Sequence, residues 1–449
     1  MSKILSILAV AVIFISCSER KEPIIQSDLE LQMNSIAEDY VKLVLNIGQY
    51  DADFVDAYYG PKEWRENLKK DLQFDSTAFK SLSDKTDNLL NELESLSEYK
   101  ATDLEKLRFK YLYKQLLACK TKINMLNGAV LPFDMETKAL YDAEAPIHND
   151  EYFQSAIAEL DKILPGQGDV AKRLNDFKMK FVIPTDKLDA VFSAAIKECR
   201  ARTMKYIQLP ENESFKVEYV KDKPWGAYNW YKGNYFSLIE VNTDLPIFID
   251  RAVDLAAHEG YPGHHVYNTL LEYNLANGRN WVEFKVYALF SPQSLIAEGT
   301  ANYGIAMAFP GDERIKFEKE VLFPIAGINP ADADLYYKVI DLQKSFSYAG
   351  NEAARNYLDE VWTREQTVDW LQKNALRTKE SADKYVSFIE KYRSYVINYN
   401  LGYDIVKNYI ESSGGTVDNL NKRWELFENL LSTPQTPGGL TQKYVQVSS

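Results

Sequence analysis

The chain has 449 residues, 46% of them hydrophobic and 26% charged, a balance that excludes disordered and collagen-like classes. A formal net charge of −13 disfavours a nucleic-acid surface, and no basic cluster with interleaved aromatics argues otherwise. The length allows two or three average domains or one large helical one.

The N-terminus reads MSKILSILAVAVIFISCSERKE. Lys3 supplies a positive start, and the apolar run Ile4 to Ile15 falls short of the roughly 20 residues that span a bilayer. Ser16 directly before Cys17 resembles a lipoprotein cleavage box, with Phe14 where leucine is usual. The expectation is a signal peptide over 1–16 and a lipidated Cys17 anchored in a membrane. A tether over 17–27 then leads into an exported protein of the bacterial cell envelope. Of the three cysteines, Cys119 and Cys199 remain, in helix-like surroundings that favour buried free thiols.

From Asp28 to Leu209 apolar residues recur at spacings of three and four, which predicts amphipathic helices throughout. Pro61, Pro132, Pro146, Pro165 and Pro184 mark connections. The texture changes near Val217, so an N-terminal helical region over 28–216 is set apart from a second region over 217–449. Aromatic and β-branched residues predict a strand over Tyr235 to Asn242 with Trp225 to Tyr231 as its partner across a turn at Lys232-Gly233-Asn234. Thr243 or Asp244 is placed to cap a helix over roughly Leu245 to Tyr261, with Pro246 in its first turn. Further helices run to about Glu428, and the tail after Leu431 reads as loose.

The predicted helix carries AHEGYPGHHVYN, residues 257–268, with three of the chain's four histidines. A hydrolytic zinc site needs three protein ligands and an open position, and a nearby carboxylate to move the proton of a water. His258 and a second histidine suit two ligands, and Glu259 suits the base. A straight helix turns about 100° per residue, so His264 would point roughly 120° away from His258. His265 would face the same side but sit about 10 Å along the axis, too far to share an ion. Pro262 lacks a backbone donor and its ring clashes with the carbonyl of His258, while Gly263 admits conformations closed to other residues. The helix is therefore expected to break at Tyr261–Gly263 and fold a later histidine back. Geometry leaves His264 and His265 open.

The third ligand is expected on another element. Glu298 lies in an apolar helical stretch among Ala297, Gly299 and Ala301, where a carboxylate needs a partner to offset its burial. Zinc is one such partner; a salt bridge or a helix cap is the alternative.

At these residues the chain resembles the bacterial domain-of-unknown-function 885 family, grouped with zincin-type metallopeptidases. His258-Glu259-Gly260-Tyr261-Pro262-Gly263-His264 matches its His-Glu-x-x-Pro-Gly-His, and Glu298-Gly299-Thr300-Ala301 matches a later Glu-Gly-x-Ala. FVDAYYGPKEW (54–64) is similar to an early segment of related sequences. The resemblance implies that His264 rather than His265 is a ligand. It also implies a mostly α, large helical zincin-like (gluzincin) fold with a small antiparallel sheet beside the active-site helix. A C-terminal family pattern survives in RSYVINYNLG (393–402) only as Tyr399 and Gly402, its Pro-Gly-Gln portion lost; Tyr399 would there donate to an oxyanion, or else be a structural tyrosine.

The expected function is a membrane-anchored zinc metallopeptidase, with Zn²⁺ on His258, His264 and Glu298 and with Glu259 as base. Its substrate would be a peptide or small amide, aligned on a free edge of the Tyr235–Asn242 strand. Hydrolysis of a non-peptide amide or ester uses the same apparatus. A non-catalytic zinc- or peptide-binding lipoprotein has no need of Glu259.

Overall fold

The computed structural model describes residues 27–68, 75–223 and 225–441; Cys17 and the expected signal peptide lie outside them. Helices dominate, as the spacing of apolar residues predicts. In the first, Asp28–Ile47, Met33, Ile36, Ala37, Tyr40, Val41 and Val44 fall on one face and are buried. Its N-terminus is capped by Ser27, whose hydroxyl accepts from Glu30 N. The long helix Asp103–Leu126 starts at a capping box, with Thr102 and Glu105 each satisfying the other's backbone.

That long helix is tied to the second half of the chain by a fully buried ion pair. Arg108 Nε and Nη2 donate to Glu283 Oε1 and Oε2 at 2.6 and 3.0 Å, and the guanidinium lies 4.4 Å from the Trp281 ring centroid. Trp281 in turn donates to Glu30 at 2.6 Å. The N-terminal helices and the metal-motif region thus share buried polar contacts as well as one hydrophobic core.

Five strands sit among the helices of the described residues. β1 (Val55–Tyr58) pairs antiparallel with β5 (Val286–Ala288). The expectation of helix throughout 28–209 fails at β1: these residues gain their hydrogen bonds from a strand more than two hundred residues away. The larger sheet contains β2 (Ser214–Val220), β3 (Ala227–Gly233) and β4 (Phe236–Asn242) in the order β2-β4-β3. The β3–β4 hairpin is antiparallel as expected and turns through left-handed Gly233, Asn234 and Tyr235. β2 adds to β4 in parallel, so the sheet is mixed rather than purely antiparallel.

Two further expectations are corrected. The motif helix begins at Asp250, not Leu245. Phe248 instead forms a bridge with Val182: Ile183 N donates to Ile247 O and Ile249 N to Phe181 O, both at 2.9 Å. Up to residue 441 the tail is not loose, because Gln435, Thr436 and Leu440 are buried and Gly438 N donates to Asp142 at 2.9 Å. Cys119 and Cys199 are buried free thiols. No helix among the described residues is long and apolar enough to cross a membrane.

Candidate metal centre

The motif helix Asp250–Leu255 widens into a π-turn over Ala256–Gly260 and stops; a new helix, His264–Leu271, starts after three intervening residues. Tyr261 N closes the wide turn on Ala256 O at 3.0 Å, and Gly263 N bonds Ala257 O at 2.9 Å. The break thus falls at Tyr261–Gly263, with a cis peptide between Tyr261 and Pro262. Gly263 is needed for a close approach of the backbone to itself. Its φ is −78°, outside the left-handed region, but a Cβ there would lie 1.9 Å from His258 O and 2.5 Å from Ala257 O. Only glycine lets the chain double back so closely.

Doubling back faces His264 toward His258, their Nε2 atoms 3.1 Å apart. Glu298 approaches from the helix Pro292–Ala308, with Oε2 at 3.3 Å from His258 Nε2 and 3.7 Å from His264 Nε2. The three ligand atoms all lie within 4.8 Å of one another. Zinc bonds of about 2.0–2.2 Å at a tetrahedral angle set ligand atoms about 3.3–3.6 Å apart, so the spacing suits one such ion. Glu298 Oε2 is buried and has no hydrogen-bond partner, although its carboxylate belongs to a residue only 6% exposed. A buried oxygen left without a donor is what a cation would satisfy.

The surroundings orient these donors. Asn302, one helical turn beyond Glu298, presents Oδ1 at 2.9 Å from His258 Nδ1, while its Nδ2 donates to Tyr399 O at 2.9 Å. An amide oxygen only accepts, so Nδ1 carries the proton and Nε2 keeps its lone pair for a metal. Tyr395 donates to Glu298 Oε1 at 2.8 Å, leaving Oε2 to face the histidines. Burial opposes charge on both His258 and Glu298, yet their attraction prevails. The His258 imidazolium, beside the Glu298 carboxylate and close to Glu259, is raised to about 9, and Glu298 falls well below the usual carboxylate range under His264 and His258.

Small residues let the supporting helices close in. A Cβ on Gly299 would lie 2.4 Å from Gly402 O, and one on Gly402 would lie 2.7 Å from Leu295 O. The two glycines press the helix Ile397–Ser412 against the helix of Glu298, which sets the Tyr399 carbonyl onto Asn302. Gly304, a turn further on, faces the ring of Pro262.

A cavity of about 660 Å³ opens onto the cluster, lined by Glu259, Tyr399, Asp56 and the β3 residues Ala227–Asn229 among others. The Glu259 backbone carbonyl accepts from Asn229 Nδ2 at 2.7 Å, which pins the motif to β3. Tyr399 lies on the cavity wall and is 38% exposed. Desolvation of the hydroxyl within the cavity wall, then the Glu298 and Glu259 charges, push its phenol well up, and it stays a donor at neutral pH. His265 is turned away from the cluster. Its Nε2 meets Glu213 Oε2 and its Nδ1 meets Ser237 Oγ, both at 2.9 Å, in a fully buried position. Tyr261 also donates to Glu213, at 2.6 Å, so His265 fastens the start of the second helix to β2 and β4.

The expected substrate edge is misplaced by one strand. β4 is central, and the outer strand that lines the cavity is β3. Tyr395, Asn302 and Asp56 are absent from the sequence-based site. Asp56, in the FVDAYYGP segment, accepts from Tyr228, and burial with the nearby Glu298 and Glu259 pushes it up to about 8, against Lys232. The family-like segment around it was the one available signal; nothing in spacing marks Tyr395.

No family model and no curated protein matches the chain. Among solved structures, it is similar to a protein from Colwellia psychrerythraea named as a putative lipoprotein, with a TM-score of 0.51 at 15% identity over 94% of this chain and 77% of that one. A structure named BsuCP aligns over 91% of this chain and 90% of its own at 10% identity and a TM-score of 0.47. An M32 carboxypeptidase from Deinococcus radiodurans R1 aligns over 93% and 98% at 10% identity and a TM-score of 0.40. At 15% identity the likeness to the Colwellia protein is one of fold.

Proposed function

We propose that the chain is a zinc-dependent peptidase of the domain-of-unknown-function 885 family, exported and held at a membrane by a lipidated Cys17. The observation that carries the catalytic reading is Glu298 Oε2, buried without a donor and set 3.3 and 3.7 Å from two imidazole nitrogens. His258, His264 and Glu298 would hold the ion. Two imidazoles and a carboxylate at near-tetrahedral spacing suit Zn²⁺, and three protein ligands leave a position open. When bound, zinc polarises the scissile carbonyl and makes water acidic enough to attack at neutral pH. Glu259, on the cavity wall next to His258, accepts the proton of the attacking water and returns it to the leaving amine. Tyr399 donates to the oxygen on which charge develops. The extended substrate lies along β3, whose outer side has no partner within its sheet.

The division into an N-terminal helical region (28–216) and a catalytic region (217–449) belongs to this proposal. So does the envelope location, which agrees with the name of the Colwellia protein of like fold. The test is a peptide-library digest by zinc-loaded protein, chelated protein and the Glu259→Gln variant. Cleavage by the first alone is the expected result. Equal turnover by Glu259→Gln would remove the mechanism.

A further inference from the structure

Arg377 lies between the helices Arg364–Ala375 and Lys379–Tyr392 and lines the same cavity as His258 and Glu259. Arg108 has Glu283, Arg314 has Asp254 and Glu318, and Arg355 has Asp134 and Glu352, while the buried Arg423 meets the Tyr303 hydroxyl and does not line the cavity. Arg377 has no carboxylate within ion-pair distance among the described residues. Its side chain donates to Ser381 Oγ at 3.1 Å, and its guanidinium carbon stands 4.2 Å from the Tyr385 ring centroid. A guanidinium carries five N–H donors, so most of this fork has no acceptor in the protein. Burial pulls the group below its usual range, with only Tyr385 opposing. The stacking offsets part of the cost of holding this cation half out of water; an anion would offset the rest.

The cavity wall carries both signs of charge: Glu259 and Glu298 at the metal cluster, Asp244 beside Lys384 and Lys223, Asp254 beside Arg251, and Arg377 with no carboxylate of its own. Lys384 is exposed and only loosely paired, 3.4 Å from Glu380. The volume of about 660 Å³ is that of a small-ligand site rather than a groove for a folded protein. A planar fork with free donors matches a carboxylate in two parallel hydrogen bonds, and a carboxylate is the anion that a peptide carries.

We propose that Arg377 receives a carboxylate of the substrate, so that the enzyme acts on short peptides or peptide-like amides bearing a free acid. This inference rests on the peptidase reading for the reaction but not for the binding. The carboxylate is either a C-terminal one or an Asp or Glu side chain, and the experiment separates the two. Three pools of N-acetylated random tetrapeptides are compared: free acids lacking Asp and Glu, the same sequences as C-terminal amides, and amides containing Asp or Glu. Cleavage is measured with zinc-loaded wild type, and retention by native mass spectrometry with zinc-loaded Glu259→Gln.

One acid-bearing pool should be favoured over the neutral amides by about ten- to a hundredfold, the worth of a charge-assisted hydrogen bond. Whichever pool it is identifies the source of the carboxylate. Arg377→Gln should bring that ratio close to one, with Arg377→Lys between, while both variants keep the wild-type circular dichroism spectrum. Equal retention of all three pools, or a preference that survives Arg377→Gln, would overturn the assignment. A retained preference for acids without any cleavage would count against the peptidase reading alone.

Discussion

Gly263→Ala is the smallest change that tests how the metal site is built. It removes no ligand, no charge and no hydrogen bond. The added Cβ would start 1.9 Å from the carbonyl oxygen of His258 and 2.5 Å from that of Ala257. Non-bonded carbon and oxygen need about 3 Å or more, so the His258 backbone or the start of the next helix must retreat by roughly 1 Å. Forced displacement of a packed backbone costs about 1–3 kcal/mol. Ligand distances in a metal site tolerate only about ±0.2 Å, so the same retreat should separate the two imidazoles beyond a shared ion. A loss of about 1.4 kcal/mol in metal binding is a tenfold weaker affinity. The expected result is a Tm lowered by several degrees and a zinc affinity at least tenfold weaker, measured by thermal denaturation and by competition with a chromophoric chelator. A Gly263→Ala protein with wild-type Tm and wild-type zinc affinity would refute the reasoning, since the close approach would then not be required.

Other predictions follow from the same geometry. Asn302→Leu removes the acceptor from His258 Nδ1, and zinc affinity should fall about 10- to 100-fold with little change in the folded spectrum. Glu259→Gln should keep one zinc per chain while turnover on a cleaved peptide falls about 10²- to 10⁴-fold. In metal-free protein, His258 is raised to about 9 from an unfolded value near 6.5, so its stabilisation is complete below about pH 6.5 and is lost as pH rises toward 9. Glu298 is lowered, so its contribution is present above its unfolded value and lost in acid. Denaturant melts of apo-protein should show that loss above neutrality, and His258→Ala should not; zinc affinity should rise over the same pH range because the ion displaces the proton. Arg108→Met strands a fully buried Glu283 and should cost about 3–5 kcal/mol by urea denaturation.

Much of the architecture is legible because it is local. Buried positions of Asp28–Ile47 recur at helical spacing, and the β3–β4 hairpin shows in its aromatic residues and its Gly-Asn turn. The break at Tyr261–Gly263 follows from proline's missing donor. What escapes local reading depends on distant partners. β1 is four residues long and meaningful only beside β5. β2 joins β4 in parallel, which no hairpin turn announces. Residues 247–249 follow a plausible cap and a proline, yet backbone pairing with 181–183 outweighs helix there. At the site, spacing leaves His265 equal to His264, and the distinction is made by Glu213 and Ser237, remote in sequence, which hold the His265 ring inside the core. Tyr395 reaches Glu298 only because Gly299 and Gly402 bring two helices together.

The central claim is that His258, His264 and Glu298 bind one zinc ion. Anomalous diffraction from crystals of zinc-loaded protein, collected on both sides of the zinc absorption edge, tests it most directly. The account predicts a single strong peak bonded to Nε2 of both histidines and to a carboxylate oxygen of Glu298, at about 2.0–2.2 Å. A peak bonded elsewhere, or none between these three side chains after loading, would contradict it.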